Sequence, residues 1–293
     1  MKILLISVLV LISRQDKFDE LYSDLKWMQY KLEYSLVFDE QEDQRRKEIF
    51  ITNHRFIEEH NDKNSNLKLK MNKFGHLHTD EILMNNVMKK TKITKPHSIR
   101  NFGDLPVKKS VDWRTFGVVS PIKDQLECRS SYAFGAIGAI ESAYGIDDGS
   151  LPILSEQEIV DCSGPFGNYG CEGGWPTNVF EFAKTNGLLN QTFYPYTGKE
   201  GECRSNAPVR DYRVVDSVLI YPGDEEQLVR ALSNNGPVSV AMDVSFREFR
   251  FYSSGILNST DCSQYMLNHA ILAVGYNLTG KPHYIVKNRY KYK

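Results

Sequence analysis

Six residues recur at steps of four, four, three, four and four along one part of the chain: Glu42, Arg46, Phe50, Asn53, Ile57 and Asn61. At about 100° per residue, their side chains fall within roughly a 100° arc of one helix face. A face that only packed against a core would be mostly aliphatic, whereas this face carries four polar residues that need partners once buried. The spacing therefore predicts a helix over 42–61 that docks on another segment through this face.

Composition and charge exclude several classes of protein. The 293 residues are 41% hydrophobic and 25% charged, which is typical of a globular chain with a sizeable core. The net charge is -1 at pH 7, so the chain lacks the strongly basic balance that attracts nucleic acids or anionic membranes. We therefore expect no nucleic-acid or membrane partner. We also expect a monomer.

The amino terminus resembles an export signal. The apolar run Ile3–Ile12 follows Lys2 and is about half as long as a bilayer span, but it has the length of a signal-peptide core. A polar segment follows at once, which disfavours the alternative of a buried strand or helix. We predict a signal peptide over 1–13 and the secretory pathway. Three glycosylation sequons agree with that route, at Asn190, Asn258 and Asn277.

Cysteine usage fits an oxidising compartment. Two disulfides and one unpaired thiol would account for the five cysteines, which are Cys128, Cys162, Cys171, Cys203 and Cys262. The sequence has no Cys-x-x-Cys pair, no His-Glu-x-x-His motif and no second cluster of histidine and cysteine. We therefore expect no metal site and no cofactor.

The chain changes character near residue 103. Residues 88–102 carry five basic residues and no acidic one, as in an exposed linker open to proteolytic nicking or, alternatively, a solvated basic loop. Beyond it, Ser131–Ile146 predicts a buried helix. Short β-rich runs predict strands at Val238–Met242, Ala270–Tyr276 and Tyr284–Val286. We predict an α+β domain over 104–293, preceded by a helical segment and linker over 14–103.

The polar helix face resembles a known signature. Its six residues match the E-R-F-N-I-N motif of the inhibitory propeptide in cathepsin L-like members of the papain family. The second propeptide motif, G-x-N-x-F-x-D, is half matched: Asn72 and Phe74 are present, but Lys70 and His76 replace its glycine and aspartate. The resemblance implies a zymogen in which 14–103 is an inhibitory propeptide.

The region after the linker resembles the mature enzyme of the same family. The matching segments are Val111–Arg114, Gln125–Phe134, Cys171–Gly174 and Asn268–Ala270. The resemblance implies a papain-like two-lobed fold, with a helical lobe and a β-barrel-like lobe, that cuts peptide bonds in a secreted or lysosomal protein. Its implied partners are peptide or protein substrates and its own propeptide.

The resemblance also assigns roles to single residues. In this family a cysteine thiolate attacks, a histidine exchanges its proton, an asparagine orients the histidine and a glutamine donates to the oxyanion. The corresponding positions are Ser131, His269, Asn288 and Gln125. Substrate binding falls to Gly173, Gly174 and Trp175, the last implying an altered preference or, alternatively, a surface residue. The implied disulfides are Cys128–Cys171 and Cys162–Cys203.

The nucleophile position departs from the family. Where the family has C-G-S-C-W, residues 128–132 read C-R-S-S-Y. A thiolate beside an imidazolium at a helix N-terminus can have a pKa of about 3.5–7.5. A serine alkoxide roughly five units above a free thiol would need about 7 kcal/mol more to form the same ion pair. Outside this context Ser131 would be an ordinary helix N-cap. We therefore predict impaired or absent peptidase activity.

Neighbouring positions depart in the same direction. Leu126 and Arg129 replace family glycines, which normally permit positive φ or close approach of a substrate. We expect Arg129 to crowd or occupy the cleft. After Asn288, Arg289-Tyr290 replaces Ser-Trp, so that a smaller ring stands where an indole would shield the Asn–His hydrogen bond.

Three functions remain open at this point. The first is a weak peptidase that uses Ser131, and the retained glutamine, histidine and asparagine favour it. The second is a binding or inhibitory protein without turnover, which Arg129 favours. The third is a structural role like that of silicateins, which share Ser-Tyr-Ala-Phe at 131–134; we rank it lower because no serine-rich tract precedes His269.

The carboxyl end is short relative to the family pattern. The family's third disulfide joins the position of Cys262 to a cysteine beyond the asparagine region, and this chain ends at Lys293. We therefore expect a truncated β lobe, an unpaired strand edge and a free Cys262. An incomplete gene model is the alternative to a stably folded short chain.

Overall fold

The computed structural model describes residues 2–63, 66–84, 98–204 and 210–289. The helices are α1 (Lys2–Tyr34), α2 (Glu40–Lys63), α3 (Thr79–Met84), α4 (Ser131–Asp147), α5 (Glu156–Cys162), α6 (Pro176–Asn186), α7 (Glu225–Asn234) and α8 (Arg247–Arg250). The strands are β1 (Leu67–Leu69), β2 (Ser98–Ile99), β3 (Ser110–Asp112), β4 (Val218–Leu219), β5 (Val238–Met242), β6 (Tyr252–Gly255), β7 (His269–Asn277) and β8 (His283–Lys287). Short 3₁₀ turns occur at Trp113–Phe116, Gly164–Phe166 and Gly170–Glu172.

The chain divides into two compact units. The first unit contains 1–82 and 247–259, and the second unit contains 83–246 and 260–293. This division differs from the predicted boundary between 103 and 104 in two segments, since 83–103 groups with the second unit and 247–259 groups with the amino-terminal helices.

In the first unit, α1 and α2 pack through aromatic side chains. Trp27 and Tyr30 from α1 are buried with Phe50 from α2, and their ring centroids lie 4.8 to 5.7 Å apart. Asp39 precedes α2, and its Oδ1 accepts a hydrogen bond from the Glu42 backbone nitrogen at 2.9 Å, as a helix N-cap does. The predicted helix is confirmed, because α2 contains the whole of 42–61.

The polar face of α2 docks on the segment 67–81. Asn53 Nδ2 donates to a backbone oxygen of that segment at 3.0 Å, and Asn61 makes two hydrogen bonds, of 2.8 and 2.9 Å, with its backbone. Arg46 Nη1 donates to Glu81 Oε2 at 2.8 Å. Since each of these polar side chains has a partner, the face can be buried at little cost. The docking predicted from the sequence is confirmed.

Residues 247–259 join the first unit through a strand pair and a buried ring. β6 pairs antiparallel with β1. Phe251 is fully buried in a cluster that includes Ile57 from α2. Asn72 Nδ2 donates to Arg250 O at 2.6 Å, and Arg250 Nη1 donates to Leu77 O at 3.1 Å. These contacts explain why 247–259 belongs to the first unit although the residues before and after it belong to the second unit.

In the second unit, α4 runs through the core. Four successive inward residues of α4 are 0% exposed, namely Tyr132, Ala133, Ala136 and Ile137. Gly135 and Gly138 face the sheet closely, because a Cβ atom on either would lie 3.0 Å from a side-chain atom of β5 or β7. The buried helix predicted over 131–146 is confirmed.

The sheet of the second unit is organised around β7. β5 and β3 pair antiparallel with successive parts of one side of β7, and β8 pairs antiparallel with the other side. All three strands predicted from the sequence are confirmed, each within an observed strand. His269 opens β7 and Asn288 directly follows β8, so that antiparallel pairing brings the two residues to the same end of the sheet.

The structure describes only parts of the predicted signal peptide and linker. Residues 2–13 of the predicted signal peptide lie in the first turns of α1. Among the described residues, no helix has both the length and the apolar character that crossing a bilayer requires. Residues 88–97 of the predicted linker over 88–102 lie outside the described ranges. Residues 98–99 of the same linker form β2, which pairs in parallel with β4.

Candidate active site

The four positions assigned to catalysis come together in the second unit. Gln125 lies on the loop before α4, Ser131 is the first residue of α4, and His269 and Asn288 lie at one end of the sheet. His269 Nε2 and Asn288 Oδ1 are 3.1 Å apart, and the backbone nitrogen of Ala270 lies 3.5 Å from Ser131 Oγ. The catalytic roles themselves stay a prediction.

Ser131 is a buried residue at the amino end of α4. It is 4% exposed, and its hydroxyl accepts a hydrogen bond from Ala270 N. The N-cap position is taken by Ser130, whose Oγ lies 2.7 Å from Tyr196 Oη and makes no capping hydrogen bond. The alternative of Ser131 as an N-cap is therefore wrong. The hydroxyl stands where the partial positive charge of a helix N-terminus acts.

His269 is fully buried among groups that favour its neutral form. Burial and then the adjacent Arg289 guanidinium lower the pKa of His269 well below its usual range, while the hydrogen bond with Asn288 opposes this shift. Arg289 Nη2 lies 2.8 Å from His269 Nδ1 and 2.5 Å from Nε2. With the ring proton assigned to Nε2, that nitrogen donates to Asn288 Oδ1 and Nδ1 accepts from Arg289 Nη2. The contact of Nη2 with Nε2 is then between two donors and is not a hydrogen bond.

Gln125 has both ends of its amide engaged. Its Nε2 donates to Cys128 O at 2.8 Å, and its Oε1 accepts from Arg289 Nε. Its backbone nitrogen donates to Arg289 O at 3.2 Å, and its backbone oxygen accepts from Tyr196 Oη at 2.8 Å. The side chain is therefore fixed by contacts within the protein.

Arg289 occupies the middle of the site. Its side chain is 3% exposed and contacts Gln125, His269 and the backbone oxygens of Ser131, at 3.2 Å, and Ala270. The crowding predicted for Arg129 is thus wrong in its residue, because Arg289 is the arginine that contacts the catalytic positions. The available signal was an arginine placed directly after Asn288, where the family pattern has a small serine.

Arg129 lies on the cleft loop instead. Its Nη1 lies 3.3 Å from Glu172 Oε2, and its side chain is 26% exposed. The Cys128–Cys171 disulfide holds the two loops together beside this ion pair. Leu126 takes a φ of 55°, the left-handed value that a glycine would adopt without strain.

The predicted substrate loop is tightly packed. Gly173 takes a φ of 104°, and a Cβ on Gly174 would lie 2.3 Å from Asn168 Oδ1, so both positions require glycine. Asn168 Oδ1 also accepts from Trp175 N at 2.9 Å, and Trp175 is half-buried ahead of α6. Substrate binding by these residues remains a prediction.

The structure contains the two disulfides that the resemblance implies. The Cα atoms of Cys128 and Cys171 are 4.7 Å apart, and those of Cys162 and Cys203 are 4.8 Å apart. Cys262 is exposed and not disulfide-bonded.

A buried ionic network lies behind the site. Lys123 Nζ bridges Glu141 and Glu156 at 2.8 and 2.6 Å, and a cavity of about 20 Å³ separates this network from Asn288 and Arg289. Burial raises the pKa of Glu156 to about 7, although the charge of Lys123 opposes the shift. The floor of the site is thus polar but closed.

Comparisons with known proteins identify the family. A family model described as papain family cysteine protease matches residues 107–293, and one described as cathepsin propeptide inhibitor domain (I29) matches 27–82. Digestive cysteine proteinase 2 of Homarus americanus is 38% identical over 89% of this chain and 84% of its own length. Cathepsin L2 of Homo sapiens is 38% identical over 93% of this chain and 84% of its own length.

A solved structure agrees with these matches. Digestive procathepsin L 3 of Tenebrio molitor larval midgut is similar with a TM-score of 0.81 and 34% identity, over 91% of this chain and 88% of that one. The predicted papain-like fold with a helical propeptide is thereby confirmed. The chain belongs to the papain family of cysteine proteases, as a cathepsin L-like member that carries a propeptide inhibitor domain.

Proposed function

We propose that this papain-family member binds peptides in its cleft and hydrolyses them poorly or not at all. The proposal depends on two features of one site, a serine hydroxyl at position 131 and a buried His269 whose pKa is lowered. A serine needs a base that removes its proton during attack, and a base with a strongly lowered pKa accepts that proton poorly. The same scaffold that holds the site can still hold a peptide.

We further propose that the amino-terminal part acts as the inhibitory propeptide of this chain, with 1–13 as signal peptide, 14–103 as propeptide and linker, and 104–293 as the peptidase-like domain. The docked polar face of α2 supports an intact propeptide helix. The protein is proposed to act as a monomer without nucleic-acid or membrane partners.

The proposed location is the secretory pathway, either secreted or lysosomal. Two disulfides support an oxidising compartment. The sequons at Asn190, Asn258 and Asn277 stay predicted acceptors, of which Asn258 is exposed.

The test is hydrolysis of a fluorogenic dipeptide at acid pH after the linker has been cut by an immobilised protease that is then removed. Wild type and Ser131→Ala are compared, with Ser130→Ala as the matched control one residue away. We expect wild type and both variants to show the same background rate. A wild-type rate more than about 100-fold above that of Ser131→Ala, and kept in Ser130→Ala, would overturn the proposal, because it would demonstrate an efficient serine mechanism.

Peptide binding is measured on the same preparations by fluorescence anisotropy with a labelled, non-cleavable peptide. We expect saturable binding that is unchanged in Ser131→Ala. Binding that is absent before and after linker cleavage would remove the binding half of the proposal.

A further inference from the structure

We propose that Arg289 is a second block on catalysis, independent of Ser131: its guanidinium fills the catalytic centre and occupies the groups that peptide hydrolysis needs free. The inference rests on the proposed function and deepens it, since it predicts that a thiol at position 131 is not enough to restore turnover. Four contacts carry it, to Gln125 Oε1, His269 and the backbone oxygens of Ser131 and Ala270.

The first consequence concerns the oxyanion. Stabilisation of the developing negative charge requires a donor aimed at the reacting oxygen. Gln125 directs its Nε2 to Cys128 O at 2.8 Å, while Arg289 Nε holds its Oε1. Because Arg289 holds Oε1 and Cys128 O takes one of the two Nε2 hydrogens, the orientation of the amide is fixed from within the protein and at most one N–H remains for a substrate. Loss of one such donor slows catalysis by about 100-fold to 1,000-fold.

The second consequence concerns the proton. When a thiolate attacks a peptide, a sulfur–carbon bond forms, the carbon–nitrogen bond breaks, and the leaving amine takes a proton from the imidazolium. Arg289 Nη2 lies 2.5 Å from Nε2 and 2.8 Å from Nδ1 of His269. At that distance the positive charge of Arg289 disfavours a positive charge on the imidazole ring. The amine therefore finds no proton donor in His269.

The third consequence separates nucleophile formation from turnover. Arg289 Nη1 lies 3.2 Å from the backbone oxygen of Ser131, so its charge lies next to residue 131 at the start of α4. A neighbouring cation and a helix N-terminus both favour a thiolate. In Ser131→Cys the new thiol should thus ionise readily, with Arg289 in place of the imidazolium, and still fail to complete the reaction.

The backbone fixes Arg289 in this place. Its amide nitrogen donates to Asn288 Oδ1 at 3.0 Å, and its carbonyl oxygen accepts from Gln125 N at 3.2 Å. The residue therefore joins the end of β8 to the loop before α4. A small side chain at position 289 would leave these backbone hydrogen bonds possible and empty the space that the guanidinium fills.

The experiment compares Ser131→Cys, Arg289→Ser and the double variant, all in full-length protein with Cys262→Ser so that residue 131 carries the single free thiol. Turnover of the fluorogenic dipeptide is measured after linker cleavage. The pH dependence of alkylation by iodoacetamide reports the thiolate. We expect Ser131→Cys to be alkylated at acid pH but to turn over at least about 100-fold more slowly than the double variant.

The outcomes distinguish this inference from the proposed function. Equal turnover in Ser131→Cys and the double variant would overturn the block by Arg289 while leaving the proposed function intact. Turnover in wild type would overturn the proposed function. Turnover in Arg289→Ser alone would overturn the independence of the two blocks, because Ser131 would then act as a nucleophile once the guanidinium is removed. No turnover in a double variant that is alkylated normally would also overturn the inference, because the block would then lie elsewhere.

A measurement on the wild type covers the case in which the double variant does not fold. The NMR chemical shift of the His269 imidazole is measured from pH 4 to pH 8, the range that contains the ordinary pKa of histidine. The signal is assigned by comparison with His269→Gln. We expect no titration near the ordinary pKa of about 6.5, because burial and the charge of Arg289 lower the pKa of this ring. A titration of His269 near its ordinary pKa in the folded protein would overturn the inference without any variant at position 289.

Discussion

The first unit and the catalytic centre of the second unit both bury polar side chains, but they satisfy them in different ways. In the first unit, Asn53 and Asn61 bind the backbone of another segment, and the result is docking. In the catalytic centre, Gln125 and His269 bind Arg289, and the result is a filled site. Buried polar groups need partners in both places, but in the first unit those partners dock a segment and in the catalytic centre they fill the site. An intact helix motif in one region therefore does not imply an intact catalytic centre in the other.

The largest expected effect tests whether the aromatic contact between α1 and α2 is the core of the first unit. Phe50 is 3% exposed, and Phe50→Ala should lower the free energy of unfolding of this unit by about 3–5 kcal/mol. Phe18→Ala is the matched control, because Phe18 on α1 is 65% exposed. Its effect should stay within about 0.5 kcal/mol.

Hydrogen exchange of the α2 amides under native conditions measures both changes within the first unit. Similar small effects of the two substitutions would show that other contacts stabilise the first unit. The aromatic cluster could then no longer be compared, as the core of that unit, with the filled site.

A smaller effect tests the polar face. Asn53→Ala removes the donor to Gly75 O and leaves that carbonyl unsatisfied, so the first unit should lose about 1–3 kcal/mol. Gln44→Ala on the exposed side of α2 loses only a surface hydrogen bond to Glu48 and should change little. Denaturant unfolding with the same exchange readout compares them. Equal effects would mean that the face does not dock specifically.

The pH dependence of the first unit depends on His76. Burial first and then the charge of Arg46 lower the pKa of His76 to about 4, while Glu81 and Glu42 act in the opposite direction. Above its unfolded pKa of about 6.5 the residue is neutral in both states and has no effect. As the pH falls from there to about 4, only the unfolded chain gains the proton, so this residue makes the first unit progressively less stable.

His76→Gln isolates that contribution. The thermal unfolding midpoint of the wild type should fall more between pH 7 and pH 4.5 than that of the variant, which keeps a polar side chain beside Tyr30 Oη. Parallel pH curves for the two proteins would remove His76 as the cause, and attention would turn to the carboxylates around Arg46.

The sequence predicted those parts of the molecule that local pattern determines. Helix periodicity located α2 and α4, and short β-rich runs located β5, β7 and β8, because these signals lie within a few neighbouring residues. The resemblance predicted that Gln125, Ser131, His269 and Asn288 share one site, because members of a family share the arrangement of residues that are distant in sequence.

Long-range placement was not predictable in the same way. The pairing of β6 with β1 joins residues far apart in the chain, and no local pattern announces it. The position of the Arg289 guanidinium depends on where Gln125 and His269 lie after folding. Crowding was therefore predicted for Arg129, an arginine two residues before Ser131, and not for Arg289.

The smallest expected effect compares these two arginines directly. Arg129 and Glu172 are 26% and 54% exposed, and an ion pair in that setting contributes about 0.5 kcal/mol or less. Arg129→Ala should leave the free energy of unfolding nearly unchanged, and Glu172→Gln should match it as the control from the other partner.

In the Ser131→Cys background, Arg129→Ala should also leave turnover low, whereas Arg289→Ser should raise it. Both substitutions remove one positive charge near the same helix, so the net charge of the protein cannot explain a difference between them. A rise in turnover on removal of Arg129 would show that the cleft is closed at its rim. A rise confined to Arg289 would show that closure depends on contact with the reacting groups, which is the distinction between a residue near a site and one that fills it.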